Sequence, residues 1–373
     1  MGQPYRIAVL SYNKSKYSET FIQNQVKHLE GEVHYLYGGA PPRFYGNDEP
    51  LVRPDVFSFL KQVKANEGAE EKLLAAIENY LVQNRIDVVL ANYAITALPV
   101  MEICQRRKIP LVVHFHGWTA YRNTVLEQYG QQYPRLFKIA TDIIAVSQDM
   151  SHQLQKLGAP EKKISVIPCG ADEELFTYTH HSKNPPVFLS IGRFCDTKNP
   201  HLTLLAFSIA AQKIKGAKLI MAGGDEGLLN TCHTLVKAHG IENRVEFKGV
   251  QTHQQVAQLM HRSFALVQHS ATTIQGEKEG TPVTVLEAAL SGLPVIATKH
   301  GGIADIFTDN ENALLCAEFD VETMAANMVK LATETMLAER LAQNAAATVK
   351  GSYTLNHYIR ALNRVISHAI SHK

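Results

Sequence analysis

The sequence predicts an α/β protein made of two consecutive doubly wound domains, and three observations lead to this prediction. The chain has 373 residues, which corresponds to two domains at roughly 150 residues each. Short apolar segments alternate with longer amphipathic segments, as in the βαβ units that build parallel sheets. The alternation also starts afresh near the middle of the chain, which favours two sheets over one large sheet.

The first series of elements begins close to the N-terminus. Its predicted strands are residues 7–10, 33–36, 88–91, 111–114, 143–146 and 164–167. The amphipathic segments 18–29 and 70–84 are predicted to be helices between them. Because the series ends at the sequence Val-Ile-Pro-Cys-Gly, we predict a first domain over residues 1–168.

The second series repeats the same pattern. Its predicted strands are residues 187–191, 218–222, 244–247, 265–268, 295–297 and 313–316. They predict a second domain over residues 169–352. The tail, residues 353–373, is one more amphipathic helix with no strand after it.

Composition excludes several functional classes. Lys and Arg total 37 against 35 Asp and Glu, so the net charge is +2, and no nucleic-acid partner is expected. The 5 cysteines are scattered and form no C-x-x-C pair, which is typical of reduced thiols rather than a disulfide framework or a zinc site. No apolar run reaches the roughly 18 residues that span a bilayer. We therefore expect a cytoplasmic enzyme.

The most informative motif is the segment 277–288, which follows a predicted strand and opens a helix. Thr281 is a favourable N-cap and Pro282 a favourable first helical residue. The amides of Val283 and Thr284 would then point out of the helix beside the positive end of its dipole. Such a helix start suits a phosphate group.

Two carboxylates accompany this predicted anion site. Glu279 would lie in the loop before the helix, and Glu287 would lie inside the helix. Carboxylates beside an anion site fit a ligand that also offers hydroxyl groups, as a sugar nucleotide does. The alternative is a capped amphipathic helix with acidic groups in its early turns.

A second motif follows the first strand of the second series. Gly192 permits a turn close to a ligand, and Arg193 and Lys198 place two cations just beyond the carboxyl end of that strand, where open α/β sheets bind ligands. Arginine can bind a phosphate through two nitrogens, whereas lysine acts as a point charge. Two solvated loop cations are the alternative. A glycine turn at Gly223 and Gly224 follows the next strand, without a dinucleotide or P-loop fingerprint.

In combination, these motifs resemble the retaining glycosyltransferases of family 4, which have the GT-B architecture. The matching segments are residues 192–193 with Lys198, 222–224, the pair Glu279 and Glu287, 292–298 and 301–303. In the first half, residues 17–22 and 114–118 resemble the exopolysaccharide (colanic-acid-type) branch of the family. Residues 166–172 resemble its interdomain join.

The resemblance implies two Rossmann-like domains that face each other across a cleft, with the C-terminal helix crossing back to pack on the N-terminal domain. It implies that the second domain binds a nucleoside-diphosphate sugar. Arg193 and Lys198 would bind the diphosphate, assisted by the amides of Val283 and Thr284. Glu287 would accept hydrogen bonds from the ribose hydroxyls.

The resemblance also implies roles at the sugar and at the base. Glu279 would contact the hydroxyls of the transferred sugar, with the loop at Gly280 and Thr281 beside it. His116, at the end of a strand in the first domain, would lie near the sugar and its acceptor. The base pocket would lie around Gly223 and Gly224 and around Val250.

The implied reaction moves a hexose-type sugar from a nucleoside-diphosphate donor, with a UDP- or GDP-sugar expected, to a hydroxyl of a glycan or lipid-linked acceptor. The leaving diphosphate needs positioned cations or amides. The chain has no Asp-x-Asp sequence, so a metal clamp is not expected. The resemblance implies no permanently bound cofactor. No carboxylate is identified for a double displacement. The family's same-face route is therefore favoured, with the acceptor hydroxyl passing its proton to the departing phosphate.

Other classes of function remain open at this point. One alternative is a GT-B sugar-nucleotide epimerase or a phosphorylase, and another is a non-catalytic sugar-nucleotide-binding protein.

The family's glycine pair after the first strand is replaced here by residues 12–18, where Lys14 or Lys16 would supply positive charge. The basic run at residues 106–108 is a candidate for weak peripheral contact with anionic lipid at the inner face of the membrane.

Overall fold

The computed structural model of the protein describes residues 4–14, 19–52, 68–181 and 184–372. The chain divides into two compact units: Met1–Ile167 with Ile359–Lys373, and Pro168–Tyr358. Each described unit contains a parallel sheet with helices, which confirms the predicted α/β class. Lys16 and the predicted motif residues 17–18 lie outside the described residues.

The sheet of the N-terminal unit contains eight strands in its described part. They are β1 (Arg6–Leu10), β2 (Glu32–Tyr37), β3 (Phe44–Tyr45), β4 (Glu49–Pro50), β5 (Val88–Asn92), β6 (Leu111–His114), β7 (Asp142–Ala145) and β8 (Ile164–Val166). Their order is β4-β3-β2-β1-β5-β6-β7-β8. All neighbours are parallel except at β3 and β4, which pair antiparallel. These two strands have two residues each, too few to show an alternating pattern, and the sequence did not predict them.

The helices of this unit connect successive strands. They are α1 (Thr20–His28), α2 (Ala69–Gln83), α3 (Ala94–Ala97), α4 (Met101–Arg107), α5 (Gly117–Tyr121), α6 (Asn123–Tyr129), α7 (Tyr133–Ile139) and α8 (Gln148–Lys156). Every residue of β5 and β6 is buried, as expected where helices cover both faces of a parallel sheet.

The sheet of the C-terminal unit is entirely parallel among its described strands. Its strands are β9 (Val187–Ile191), β10 (Lys218–Ala222), β11 (Val245–Gly249), β12 (Ala265–Gln268), β13 (Val295–Thr298) and β14 (Leu314–Cys316). The order β11-β10-β9-β12-β13-β14 is that of a Rossmann sheet, in which the direction of winding reverses once. Here the reversal lies between β9 and β12.

Helices flank this second sheet. They are α9 (Pro200–Ala210), α10 (Leu229–Ala238), α11 (His253–Arg262), α12 (Val283–Leu290), α13 (Ile303–Ile306), α14 (Val321–Thr333) and α15 (Thr335–Ser352). Two apolar clusters form the core; Phe188 and Phe207 belong to one, and Leu189 and Leu286 to the other. Because Phe188 and Leu189 are consecutive residues of β9, their side chains leave opposite faces of the strand.

The last helix, α16 (Leu355–Ser371), confirms the amphipathic tail predicted from the sequence. Leu362, Ile366 and Ala369 are buried along one side of it. From Ile359 onward the helix packs with the N-terminal unit, where Asn363 accepts a hydrogen bond from the Glu30 amide. Within the described ranges, no helix is both long and apolar enough to cross a membrane.

Candidate functional site

The point where the second sheet reverses its winding lies between β9 and β12, which are neighbours. Ligands of open α/β sheets bind outside the carboxyl ends of the strands at such a point. Lys198 follows β9 and Glu279 follows β12. The amide of Ala271 donates to the carbonyl of Thr197 (3.2 Å), which ties the two loops together.

Lys198 and Glu279 form an ion pair at this position. The ammonium nitrogen lies 3.1 Å from Oε1 of Glu279, and the two side chains are 13% and 12% exposed. Even so, Oε1 is buried and accepts no hydrogen bond from any described residue. The Lys198 ammonium compensates the charge of this oxygen, and a ligand hydroxyl could supply the hydrogen bond that the oxygen lacks.

The start of helix α12 lies just after this pair in the chain. The helix begins at Val283 with Pro282 as its N-cap residue, one residue later than predicted, because Pro282 has an extended rather than a helical backbone. Within the described residues, the amides of Val283 and Thr284 have no acceptor, as is usual at a helix start. Gly280 and Thr281 form the loop between Glu279 and the helix.

Glycines hold the loops after β9 and β10 in contact. A Cβ at Gly223 would lie 1.8 Å from the carbonyl oxygen of Gly192, and one at Gly192 would lie 3.2 Å from Cδ of Lys198. Gly224 accepts a hydrogen bond from the Phe194 amide (2.8 Å). The predicted glycine turn therefore supports the loop that carries both predicted diphosphate cations.

Val250 follows the next strand, β11. The amide of Gly223 donates to the carbonyl of Gly249 (2.8 Å), so the loops after β10 and β11 also touch. Val250 is 52% exposed. The residues predicted to surround the base thus occupy adjacent strand ends.

Arg193 lines one small cavity together with Lys198, Gly192 and Gln268. Its guanidinium is already engaged, since Nη1 donates to Oε2 of Glu226 at 2.5 Å. The Arg193 and Glu226 side chains are 27% and 34% exposed, so the pair is half-buried. A diphosphate at this position would compete with Glu226 for the guanidinium.

Glu287 lies inside α12 and is 8% exposed. Burial raises its pKa to about 8; the charge of Asp172 acts in the same direction and that of Lys198 opposes it. Without a ligand, Glu287 is therefore largely protonated at neutral pH. No described residue forms a hydrogen bond with its carboxyl group.

The sequence did not identify the residues that contact the backbone of Glu279 and Gly280, in the loop before α12. A Cβ at Gly301 would lie 2.3 Å from the carbonyl oxygen of Glu279, and one at Gly302 would lie 2.1 Å from that of Gly280. The Glu279 amide donates to Nε2 of His300 at 3.0 Å. The glycine pair 301–302 was the available signal for this close approach, but nothing in the sequence pattern marked His300.

Gln268 is a second residue that the sequence analysis did not select. It ends β12, is 3% exposed and lines the same small cavity as Lys198. Its Nε2 donates to Ser270, whereas its buried Oε1 has no partner in the described residues. A polar residue at the end of a buried strand was the available signal.

His116 belongs to the N-terminal unit, two residues after the end of β6. It is 6% exposed, and its Nε2 lies 3.2 Å from Oδ1 of Asn92. Because a carbonyl oxygen only accepts, Nε2 carries the ring proton with this assignment of the Asn92 amide. Burial, with a smaller contribution from His114, holds the pKa of His116 well below its usual value. The ring is therefore neutral.

Across residues 4–14, 19–52, 68–181 and 184–372, no group of three or more His, Cys, Asp or Glu side chains could hold a metal ion.

The basic run at residues 106–108 is partly neutralised, because Arg106 and Arg107 both contact the carboxylate of Glu78, at 2.5 and 2.6 Å.

Two family profiles match the chain. Residues 172–348 match the family described as "Glycosyl transferases group 1", and residues 18–175 match the one described as "Glycosyltransferase Family 4". Together they cover the chain from residue 18 to residue 348. Both profiles describe glycosyltransferases, and the chain belongs to the family 4-like glycosyltransferases that its motifs predicted.

Relatives and solved structures agree with this assignment. The amylovoran biosynthesis glycosyltransferase AmsK of Erwinia amylovora is 28% identical over 59% of this chain and 54% of its own length. The putative colanic acid biosynthesis glycosyltransferase WcaL of Escherichia coli K12 is 27% identical over 70% of this chain and 66% of its own. The chain thus spans about half the length of AmsK. Anabaena HepE, solved with UDP and glucose, aligns with a TM-score of 0.75 over 99% of this chain and 100% of HepE, at 19% identity. This likeness confirms the predicted GT-B fold.

Proposed function

We propose that the protein is a retaining hexosyltransferase that transfers a sugar from a nucleoside-diphosphate donor to a hydroxyl of a glycan or glycolipid in exopolysaccharide synthesis. The observation that carries the proposal is the ion pair of Lys198 and Glu279 at the reversal point of the second sheet. A cation suited to a diphosphate lies beside a carboxylate whose Oε1 is paired in charge with Lys198 but accepts no aligned hydrogen bond from the described residues. A sugar joined to a diphosphate supplies both partners.

The proposed donor contacts are those that the resemblance to the family implies. Lys198, Arg193 and the amides of Val283 and Thr284 bind the diphosphate, and Glu279 accepts hydrogen bonds from the sugar hydroxyls. Glu287 accepts hydrogen bonds from the ribose, and the base lies against the loops at residues 223–224 and 250. UDP or GDP is the proposed nucleotide; HepE, which shares the fold, was solved with UDP and with UDP-glucose.

The proposed reaction takes place on one face of the sugar. The acceptor oxygen forms a bond to the anomeric carbon on the side from which the diphosphate leaves, and the acceptor proton passes to the departing phosphate oxygen. Lys198 and Arg193 stabilise the charge that develops on the leaving group, so the proposal needs no metal clamp. His116 would orient or polarise the acceptor hydroxyl, because its neutral ring is too weak a base to hold the proton.

We assign the donor to residues 169–352 and the acceptor to residues 1–168, with residues 353–373 as a helix that packs on the N-terminal domain.

We also propose weak peripheral contact with the membrane through residues 106–108. Since Glu78 pairs with Arg106 and Arg107, lipid phosphates would have to displace it. Flotation with anionic and with neutral vesicles tests this contact, and the absence of binding to anionic vesicles would remove it.

The test of the function uses UDP-glucose, UDP-galactose, GDP-mannose and ADP-glucose, with octyl glycosides as surrogate acceptors. We expect release of nucleoside diphosphate from at least one donor, without added metal and in the presence of a chelator. Proton NMR of the product should show the anomeric configuration of the donor. Inverted product would refute retention, an epimerised donor would indicate the epimerase, and donor binding without turnover would indicate a binding protein. A Glu279→Gln preparation controls for contaminating activity.

A further inference from the structure

A buried histidine supports the loop that carries Glu279. His300 follows β13, and its side chain is 0% exposed. Its Nε2 accepts the hydrogen bond from the Glu279 amide (3.0 Å). A backbone amide can only donate, so Nε2 is unprotonated and the proton of the neutral ring is on Nδ1. That nitrogen lies 2.6 Å from Oε1 of Glu318.

Glu318 follows β14 and holds the other end of the same loop. Its carboxylate accepts hydrogen bonds from the amide of Thr272 (2.8 Å) and from its hydroxyl (3.2 Å). Although burial opposes the change, the hydrogen bonds from His300 and Thr272 lower the pKa of Glu318. One ionised carboxylate therefore fixes both ends of the segment 272–279, one end directly and the other through His300.

The middle of this segment is bonded to itself. The Thr273 amide donates to the Glu277 carbonyl (3.0 Å), and the Gly276 amide donates to the Thr273 carbonyl (2.8 Å). These bonds stabilise a local turn but do not place it relative to the sheet. At the Glu279 end, the backbone is held by His300 and by the hydrogen bond from the Gly302 amide to the Gly280 carbonyl (2.9 Å).

We propose that His300 is a positioning residue for sugar transfer: through Nε2 it fixes the backbone of Glu279, and so the place of the carboxylate that binds the donor sugar. This role rests on the proposed function, since it requires that Glu279 contacts the sugar. Glu318 orients the ring and keeps its proton on Nδ1. The proposed nucleotide contacts are made by other residues, so the larger effect is expected on the sugar.

Two substitutions at the same position separate this role from a general structural one. The amide of asparagine reaches roughly the position of Nδ1, and that of glutamine roughly the position of Nε2. His300→Gln therefore keeps an acceptor for the Glu279 amide, whereas His300→Asn keeps only the contact with Glu318. We expect His300→Asn to lower kcat/KM for the donor about 100-fold, the loss typical of a small misplacement of a catalytic group. His300→Gln should recover most of it.

The readouts are donor turnover, affinity for UDP or GDP alone, and hydrogen exchange of the peptide that covers residues 272–282. In His300→Asn we expect faster exchange and unchanged nucleotide affinity, and in His300→Gln near-normal values of both. Glu318→Ala removes the partner of His300 Nδ1 and of the Thr272 amide. It should therefore also loosen the loop and lower turnover, while nucleotide affinity stays unchanged.

Equal loss in the Asn and Gln variants, or loss of nucleotide affinity in proportion to turnover, would overturn the positioning role and leave the proposed function intact. Wild-type protein that turns over none of the four donors would refute the proposed function, and with it any role of His300 in transfer. Hydrogen exchange in the Asn and Gln variants would still report whether His300 holds the loop.

Discussion

The ammonium group of Lys198 lies 3.1 Å from Oε1 of Glu279, although the two residues are 81 positions apart in the chain. They meet because they follow β9 and β12, the two neighbouring strands at which the sheet reverses its winding. In the ligand-free protein their charges balance each other. In a complex with the donor, the diphosphate could contact Lys198 and a sugar hydroxyl could contact Glu279.

Loss of either member should therefore abolish transfer. We expect Lys198→Ala and Glu279→Gln each to lower kcat/KM about 100-fold or more, equivalent to about 3 kcal/mol of lost transition-state stabilisation. Lys237→Ala, an exposed lysine of α10 in the same unit, is the matched control. Initial rates and thermal melts check this, and folded variants with turnover near that of the wild type would contradict it.

The glycine pair behind the Glu279 loop allows a steric test. Gly302→Ala would place a Cβ 2.1 Å from the Gly280 carbonyl oxygen, so the loop must move. We expect lower thermal stability and weaker donor binding. In Gly351→Ala no atom lies within 4 Å of the new Cβ, and alanine within α15 should stabilise the protein by roughly 0.5–1 kcal/mol. Calorimetric unfolding compares the two, and equal behaviour would refute the proposed contact.

Glu287 should make stability depend on pH. Its pKa is raised from 4.5 to about 8 by burial, so the folded protein holds a proton that the unfolded chain releases above about pH 4.5. This contribution to stability is complete below that pH and is lost as pH rises to about 8, at up to about 1.4 kcal/mol per pH unit. The difference in free energy of unfolding between wild type and Glu287→Gln should fall across this window. A constant difference would contradict the assignment.

His116 should not titrate in the physiological range. Burial, and then the neighbouring His114, holds its pKa well below 6.5, so the ring stays neutral at physiological pH. We expect His116→Gln to lower kcat while the shape of the pH–rate profile stays the same. An acidic limb near pH 6.5 that disappears in the variant would show instead that His116 acts as a general base.

Much of the fold and part of the site could be predicted from the sequence. Apolar runs gave the strands of both sheets within one or two residues, because buried parallel strands need continuous apolar sequence. Lys198 and Glu279 could be placed at strand ends because a doubly wound sheet gathers those ends at one edge. The two-residue strands β3 and β4 left no pattern to detect.

Contacts between distant loops were beyond sequence reasoning. His300 and Glu279 are joined by a backbone amide, which leaves no trace in residue type. The pairing of Arg193 with Glu226 depends on how the loops after β9 and β10 approach each other. Burial of Glu287 likewise depends on how α12 packs, so its raised pKa could not be inferred from its position in the helix.

The most direct test of the account is a crystal structure of the protein with UDP or GDP and with the corresponding sugar nucleotide. The account predicts phosphate oxygens within hydrogen-bond distance of Lys198 Nζ and of the Val283 and Thr284 amides, and a sugar hydroxyl on Oε1 of Glu279. A nucleotide bound away from the carboxyl ends of β9 and β12, with the Lys198–Glu279 pair unchanged, would contradict it.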